Sequence, residues 1–333
     1  MSNLRSFIRQ TFNSLDYSLN RRDTIEKIVS ENRLLKKEVS LRHNVSVSIG
    51  RYFSQGRRTP DVAIPIGKVR VDSCSVEWIP KMLEQGIHEE EFSIFRFFQD
   101  PTETILDLGA NYGYGAASIW ASGSKACILS FEPNPWHFPC LQAIKDLKPG
   151  KFDFLGIGLG ARASTQIFTM PVLEGVGLSS LCTADAVNEL AWGIPENLVA
   201  HALKYLPDVA EPRIQFTEVA WQTISLDDAL KSHSFAVPLK KIVAVKLDVE
   251  GFESEVIAGG MATLAGHRPL LLIEGANREK AVVDQLSGLG YCYGDFQNDK
   301  VVLTSRQSTR VGGFFLHSSR LAEYRDKGLV IEG

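Results

Sequence analysis

Apolar positions along this chain change their period twice. From about residue 14 to residue 42 no Gly or Pro interrupts the sequence, and Ile25, Ile28, Asn32, Leu35 and Val39 recur at spacings of three and four with charged residues filling much of the other faces. That is the period of an amphipathic helix. Asn32 takes a core position of the stripe, where a polar side chain can set the register of a paired coil. The stripe lasts about two heptads, so a dimerising helix and a helix lying on its own domain both fit. From Val45 to Val71 the runs VSVSI, DVAIPI and KVRV are short and β-like, broken by Gly56, Pro60, Pro65 and Gly67, which predicts a small antiparallel element or a covering flap. A helix is expected over Glu89–Phe98, with acidic residues in its first turn.

Beyond Pro101 short apolar runs alternate with helical stretches, the signature of a doubly wound α/β sheet. The predicted strands are Thr104–Leu108, Ala126–Phe131, Phe152–Gly158, Ile242–Leu247 and Leu270–Glu274, each short, mainly apolar and bounded by turn signals, as expected for parallel strands covered on both faces. Residues 165–220 form a longer insertion with Gly/Ser-rich and helical parts. One helical stretch there, AVNELAWGIPENLVAHALKYL, carries Trp192, His201 and Tyr205; it suits a lid over a second substrate and equally a helix packed on the sheet. The expected organisation is an N-terminal helical/β extension over residues 1–87 and one α/β domain over 88–333.

The stretch ETILDLGANYGYGAASIWA reads as a buried strand, then Asp107, Gly109, Ala110, Asn111, Gly113 and Gly115, then a helix. Glycines at such a junction let backbone approach a ligand, and the helix start offers free amides. Glu132 ends the next strand, followed by Pro133, and a carboxylate there can accept hydrogen bonds from both hydroxyls of a ribose. The pair predicts an adenosine-containing cofactor. Ser118 follows Gly113-Tyr-Gly115-Ala-Ala, so the third glycine of a dinucleotide fingerprint is missing. Asp107, on the strand just before the glycines, would repel a pyrophosphate and attract the ammonium of an amino-acid tail. The combination favours S-adenosylmethionine over NAD, the alternative being an NAD-dependent oxidoreductase or epimerase. A third reading is a non-catalytic scaffold that keeps the fold.

A second acidic group stands in Ala244-Val-Lys-Leu-Asp-Val-Glu250. Alternation puts Lys246, Asp248 and Glu250 on one face of a strand. A lysine in a central strand is costly unless paired, so a buried ion pair fits. So does a role for Glu250 and Asp248 at the strand's carboxyl end, where open α/β sheets place their crevice. Glu250 is the first candidate for the proton acceptor and Asp248 the second. Glu274 ends another strand and can join them, while Glu253 and Glu255 suit a helix start. Three carboxylates could hold a divalent cation, but pairing with backbone and lysine explains them as well, and no metal is assigned. His137, His201 and His267 are isolated and read as surface or satisfied core residues.

Composition narrows the partners. A net charge of -3 gives no basic footprint for nucleic acid, and no stretch reaches the roughly 18 apolar residues of a membrane span. Five cysteines, Cys74, Cys127, Cys140, Cys182 and Cys292, lie scattered without a CxxC pair, which fits small buried thiols in a reducing compartment. With a polar N-terminus, a cytoplasmic location is expected.

Six segments together resemble the FkbM-type methyltransferases: ILDLGANYGYG, LSFEPNP, TISLDDAL, AVKLDVEGFESEVIAGG, RPLLLIEG and LGYCYGDF, in that order over roughly residues 88–297. The DVEGFE segment is the most specific of them. The resemblance implies a class I, Rossmann-like fold and O-methylation of a hydroxyl on a small molecule, sugar or glycan. It also implies cofactor binding by Asp107, Gly109, Asn111, Gly113 and Glu132; Ala110 and Pro133, their chain neighbours, complete the expected cofactor set. The N-terminal 70 or so residues and residues 183–212 match none of these segments, so substrate identity is expected to lie there.

Overall fold

A computed structural model describes residues 61–64, 67–72, 89–173, 176–178, 214–275, 280–304 and 312–331. In chain order its strands are β1 (Asp61–Ile64), β2 (Gly67–Asp72), β3 (Thr104–Leu108), β4 (Cys127–Phe131), β5 (Phe152–Leu155), β6 (Gly158–Leu159), β7 (Ser164–Leu173) and β8 (Val176–Leu178). Then come β9 (Ile214–Ile224), β10 (Ile242–Leu247), β11 (Leu270–Glu274), β12 (Tyr291–Gln297), β13 (Lys300–Leu303), β14 (Gly312–His317) and β15 (Val330–Ile331). The α-helices are α1 (Tyr114–Ala121), α2 (Phe138–Leu147), α3 (Leu226–Ser232), α4 (Glu253–Gly259), α5 (Met261–His267), α6 (Lys280–Gly288) and α7 (Leu321–Asp326).

Nine strands form the main sheet in the order β15-β13-β12-β14-β11-β10-β3-β4-β5. From β5 to β11 all pairs are parallel, and β14 then enters antiparallel between β11 and β12. Chain order runs outward from β3 in one direction to β4 and β5, and in the other to β10 and β11. The reversal between β3 and β10 opens a crevice at their carboxyl ends, where such sheets bind ligands.

Strand alternation sends side chains into two separate cores. On one face Ile105, Ile128, Ala244 and Leu270 pack with Phe95, Ile119 of α1, Leu141 of α2 and Tyr324 of α7. On the other, Leu106, Leu129, Val245 and Leu271 pack with Leu226 of α3, Ile257 of α4, Leu264 of α5 and Leu286 of α6. Helices therefore cover both faces, and the doubly wound α/β class expected from the alternation is the one observed. At the far edge β12 and β13 are joined through Asn298 and Asp299 at φ 50° and 61°, the backbone that a two-residue hairpin with native twist requires.

A second sheet of six strands has the order β1-β2-β8-β7-β9-β6. Its centre is the antiparallel β7/β9 pair, matched residue for residue from Ser164↔Thr223 to Leu173↔Ile214. The β1/β2 hairpin joins it through the parallel pairing of β2 with β8.

Several local expectations are corrected. The strand expected over Phe152–Gly158 stops at Leu155, and Gly158–Leu159 crosses into the second sheet. Between them the ring of Phe138 lies so close to Gly156 that a Cβ would meet it at 2.5 Å. The strand expected from Ala126 begins at Cys127. The helix expected over Glu89–Phe98 is a 3-10 helix, Glu90–Phe97. The described margins of the insertion, for which no element was expected, are strands, with Phe168 and Met170 buried on one side and Ile167 exposed on the other. The expected N-terminal helix and the stretch bearing Trp192, His201 and Tyr205 lie outside the described residues.

Candidate active site

The loops leaving β3 and β10 are pressed together. The Asp248 amide donates to the Leu108 carbonyl at 3.0 Å. Gly109 sits at φ +82°, and a Cβ there would fall 1.7 Å from the backbone oxygen of Asp248. Only glycine fits both the left-handed backbone and that approach. The amides of Gly109 and Ala110 both donate to the Phe131 carbonyl at 3.0 Å, tying the loop to β4. Asn111 is left-handed at φ 51°, and Gly113, at φ 93°, is the N-cap of α1.

Glu132 follows β4 and is buried. One carboxylate oxygen accepts from the Asn111 amide at 2.6 Å and the other from the Asn134 amide at 2.9 Å. Each carboxylate oxygen has a second acceptor position, so Glu132 is oriented and can still accept from a diol. His137 is buried beside it, with Nδ1 3.6 Å from Oε1 of Glu132. It belongs to the Glu132 surroundings and not to the surface.

A cavity of about 660 Å³, counting the part open to solvent, fills the crevice. Gly109, Asn111, Glu132, Pro133, Asp248 and Glu250 all line it, so the structure brings the greater part of the expected cofactor set and both proton-acceptor candidates to one space. Asp107, Ala110 and Gly113 stand behind the wall. Asp107 is wholly buried, Ala110 is nearly so, and Gly113 faces Ile144 of α2.

Asp107 and Lys246 lie opposite each other in the β3/β10 register. The Lys246 ammonium donates to the Gly109 carbonyl at 2.7 Å, and lies 3.5 Å from Asp107 and 3.2 Å from Asp248. Ser130 donates to the other oxygen of Asp107 at 3.0 Å. Burial works against the charge on Lys246, but Asp248 and Asp107 outweigh it and hold the ammonium protonated. Burial also pushes Asp107 up, against the pull of Lys246. The buried ion pair anticipated for Lys246 is therefore present.

Beyond the strand end three carboxylates crowd together. Burial, then Asp248, Glu274 and Glu253, raise Glu250 well above the usual carboxylate range. Repulsion from Asp248 is the leading reason that Glu274 is pushed up to about 8. The Glu274 side chain still reaches solvent, so its neighbour matters more than its burial. Glu250 also holds a left-handed backbone at φ 55°, followed by Gly251 at 89°. A non-glycine residue held there stores strain, which clusters at functional sites. Glu253 accepts from the Val249 amide at 3.1 Å and so closes the turn before α4. Among the described residues no group of three or more His, Cys, Asp and Glu is arranged to hold a metal ion.

The aromatic wall was not read from the sequence. Phe168 on β7 and Trp221 on β9 line the cavity with Phe252. The Phe168 ring centroid is 4.6 Å from that of Trp221 and 6.3 Å from that of Phe252. Phe168, Met170 and Val172 in one segment and Val219 and Trp221 in the other recur at period two, which is the signal the sequence carries for it.

The sequence profile of the Methyltransferase FkbM domain matches residues 107–291, more than half of the chain. The chain belongs to the FkbM methyltransferase family. Among solved structures, it is similar to a methyltransferase FkbM from Methylobacillus flagellatus KT, with 13% identity and a TM-score of 0.37 over 73% of this chain and 59% of that one. It is also similar to a precorrin-6y C5,15-methyltransferase from Geobacter metallireducens GS-15, with 9% identity and a TM-score of 0.32 over 70% of this chain and 90% of that one. The chain thus spans about three fifths of the length of the first of these. No curated protein matches it. The FkbM match covers both loops of the crevice and both acidic groups, while β1 and β2 lie outside it.

Proposed function

We propose that this protein is an S-adenosylmethionine-dependent methyltransferase that methylates a hydroxyl of a small molecule, sugar or glycan. One observation carries the reading: a buried, oriented carboxylate, Glu132, and a crowded acidic group, Asp248 with Glu250, line the same cavity at the sheet's switch point. The residues fit the cofactor chemically. Glu132 suits a ribose diol, Pro133 an adjoining apolar face, and the acids beyond Gly109 the positive charge at the methyl-bearing sulfur. When bound, S-adenosylmethionine supplies an electrophilic methyl group.

The protein's own part is to align the acceptor, exclude water and hold a proton. Phe168, Trp221 and Phe252 exclude water along one wall. A carboxylate of ordinary proton affinity is a weak base for a hydroxyl. Glu250, whose surroundings raise that affinity, is the group assigned to receive the proton. Asp107 and Lys246 hold the two loops at their spacing from behind and do not line the cavity. A soluble, cytoplasmic protein suits the reading; among the described residues no helix is long and apolar enough to cross a membrane.

Calorimetric titration with S-adenosylmethionine and with NAD tests the proposal. S-adenosylmethionine should bind and NAD should not, and Glu132→Ala should weaken S-adenosylmethionine at least tenfold, the size expected for losing a pair of charge-assisted hydrogen bonds. Binding of NAD, or no binding of S-adenosylmethionine, overturns it.

A further inference from the structure

The acids at the end of β10 and β11 do more than offer a base. Asp248 and Glu250 line the crevice. Glu274 stands at the end of the neighbouring parallel strand, beside the start of the loop that carries Asp248, and the charge on Asp248 raises its proton affinity. Among the described residues, Lys246 is the cation that touches this group; its ammonium lies 3.2 Å from Asp248, 2.7 Å from the Gly109 carbonyl and 3.5 Å from Asp107. The facing groups are Asp107 on β3, Lys246 on β10, Asp248 and Glu250 on the loop after it, Glu253 on α4 and Glu274 on β11. Glu132 and His137 also line the cavity, as do the rings of Phe168, Trp221 and Phe252. Aromatic walls lower the effective dielectric, so a single unit of charge on a ligand weighs heavily there.

Resting on the cofactor reading above, we propose that Asp248, Glu250 and Glu274 together read the charge on the cofactor's sulfur. They favour the sulfonium form over the demethylated thioether and so help to expel the product after transfer. S-adenosylmethionine and S-adenosylhomocysteine share the adenosine, the carboxylate and the ammonium; they differ by one methyl group and one positive charge. Contacts with Glu132, Asn111 and Pro133 see the two ligands alike. Only a group that senses the sulfur's charge separates them.

The arrangement has a signature in protons. Crowding makes Glu250 and Glu274 retain protons that separate carboxylates would have lost, with Glu274 pushed up to about 8. A cation arriving beside them favours their ionised form, so S-adenosylmethionine releases protons on binding. S-adenosylhomocysteine, which lacks the sulfonium, releases fewer. Affinity for a ligand that releases protons rises with pH until the free protein has lost those protons itself. The preference for S-adenosylmethionine over its product should therefore grow between about pH 6 and pH 8 and level off above the value for Glu274.

The experiment is isothermal titration of the full-length protein with each ligand, in buffers of different ionisation enthalpy, at several pH values. The expected result is a larger proton release for S-adenosylmethionine than for S-adenosylhomocysteine. Glu274→Gln should lower S-adenosylmethionine affinity by about three- to tenfold, as loss of one nearby charge does, and leave S-adenosylhomocysteine within twofold. Near-ultraviolet circular dichroism checks that the variant is folded; if it is not, the wild-type proton counts decide alone. Equal proton release for both ligands, or an equal loss of both affinities in Glu274→Gln, overturns the inference and leaves the cofactor assignment standing. Failure of the wild type to bind either ligand overturns both.

Discussion

Lys246→Met removes the cation from a pair whose other member cannot reach water. Asp107 is wholly buried and the Lys246 side chain is 9% exposed, so the variant leaves a carboxyl group that must become neutral in the folded state. With an ordinary value of 3.8, keeping it protonated at pH 7 costs up to about 4.4 kcal/mol, at about 1.36 kcal/mol per pH unit. That agrees with the roughly 3–5 kcal/mol usually lost when one partner of a buried pair is removed. At an m of about 2–3 kcal/mol per molar urea, the unfolding midpoint should fall by about 1–2 M. The cost has a direction with pH. The native variant keeps a proton that the unfolded chain gives up above 3.8, so the penalty grows as pH rises and shrinks to about 1.6 kcal/mol at pH 5. Asp107→Asn in the Lys246→Met background should restore most of the loss, because it removes the stranded charge. Urea titrations at pH 5 and 7 measure all of this. A loss below about 1 kcal/mol at pH 7, or no recovery in the double variant, refutes the argument that this pair binds β3 to β10.

Two further substitutions probe one crevice loop and one helix start. Gly109→Ala places a Cβ 1.7 Å from the Asp248 oxygen at φ +82°; it should cost well over the 1–2 kcal/mol of left-handed backbone alone, read as a drop in Tm, and should abolish S-adenosylmethionine binding. Asp227 accepts from the amides of Ala262 and Thr263 at 2.9 and 2.8 Å and from the Thr263 hydroxyl at the start of α5, so Asp227→Ala should cost about 1–2 kcal/mol in a urea titration and leave cofactor affinity unchanged.

The parallel strands were legible because each must be apolar on both faces, and ILDLG and AVKLD are bounded by residues that cannot continue a strand. The junction of glycines with Glu132 was legible because few chemistries need that order. What alternation could not show was the end of β10. The strand closes at Leu247; Asp248 still meets Lys246 on one side, but Glu250 is placed by a left-handed turn and not by the pleat. Nor could it show that Asp107 serves Lys246 from behind the wall; a one-dimensional pattern does not tell a side chain facing the crevice from one facing the adjoining core. The second sheet was legible only in part: the antiparallel element expected from Val45 to Val71 is present as β1 and β2, but β8 lies far along the chain from them, and nothing local marks its pairing with β2.

That pairing bears on how the protein can be re-engineered. The strands that carry Phe168 and Trp221 are continuous, through β8, with a hairpin formed more than a hundred positions earlier. An exchange of residues 164–224 alone with those of a relative would bring new cavity walls but leave β2 beside a foreign edge, with unpaired backbone groups open to other chains. The wall that carries Phe168 and Trp221 is thus not a cassette. Its sheet is written in two separate stretches of sequence, and a chimera that is to stay well behaved has to inherit both.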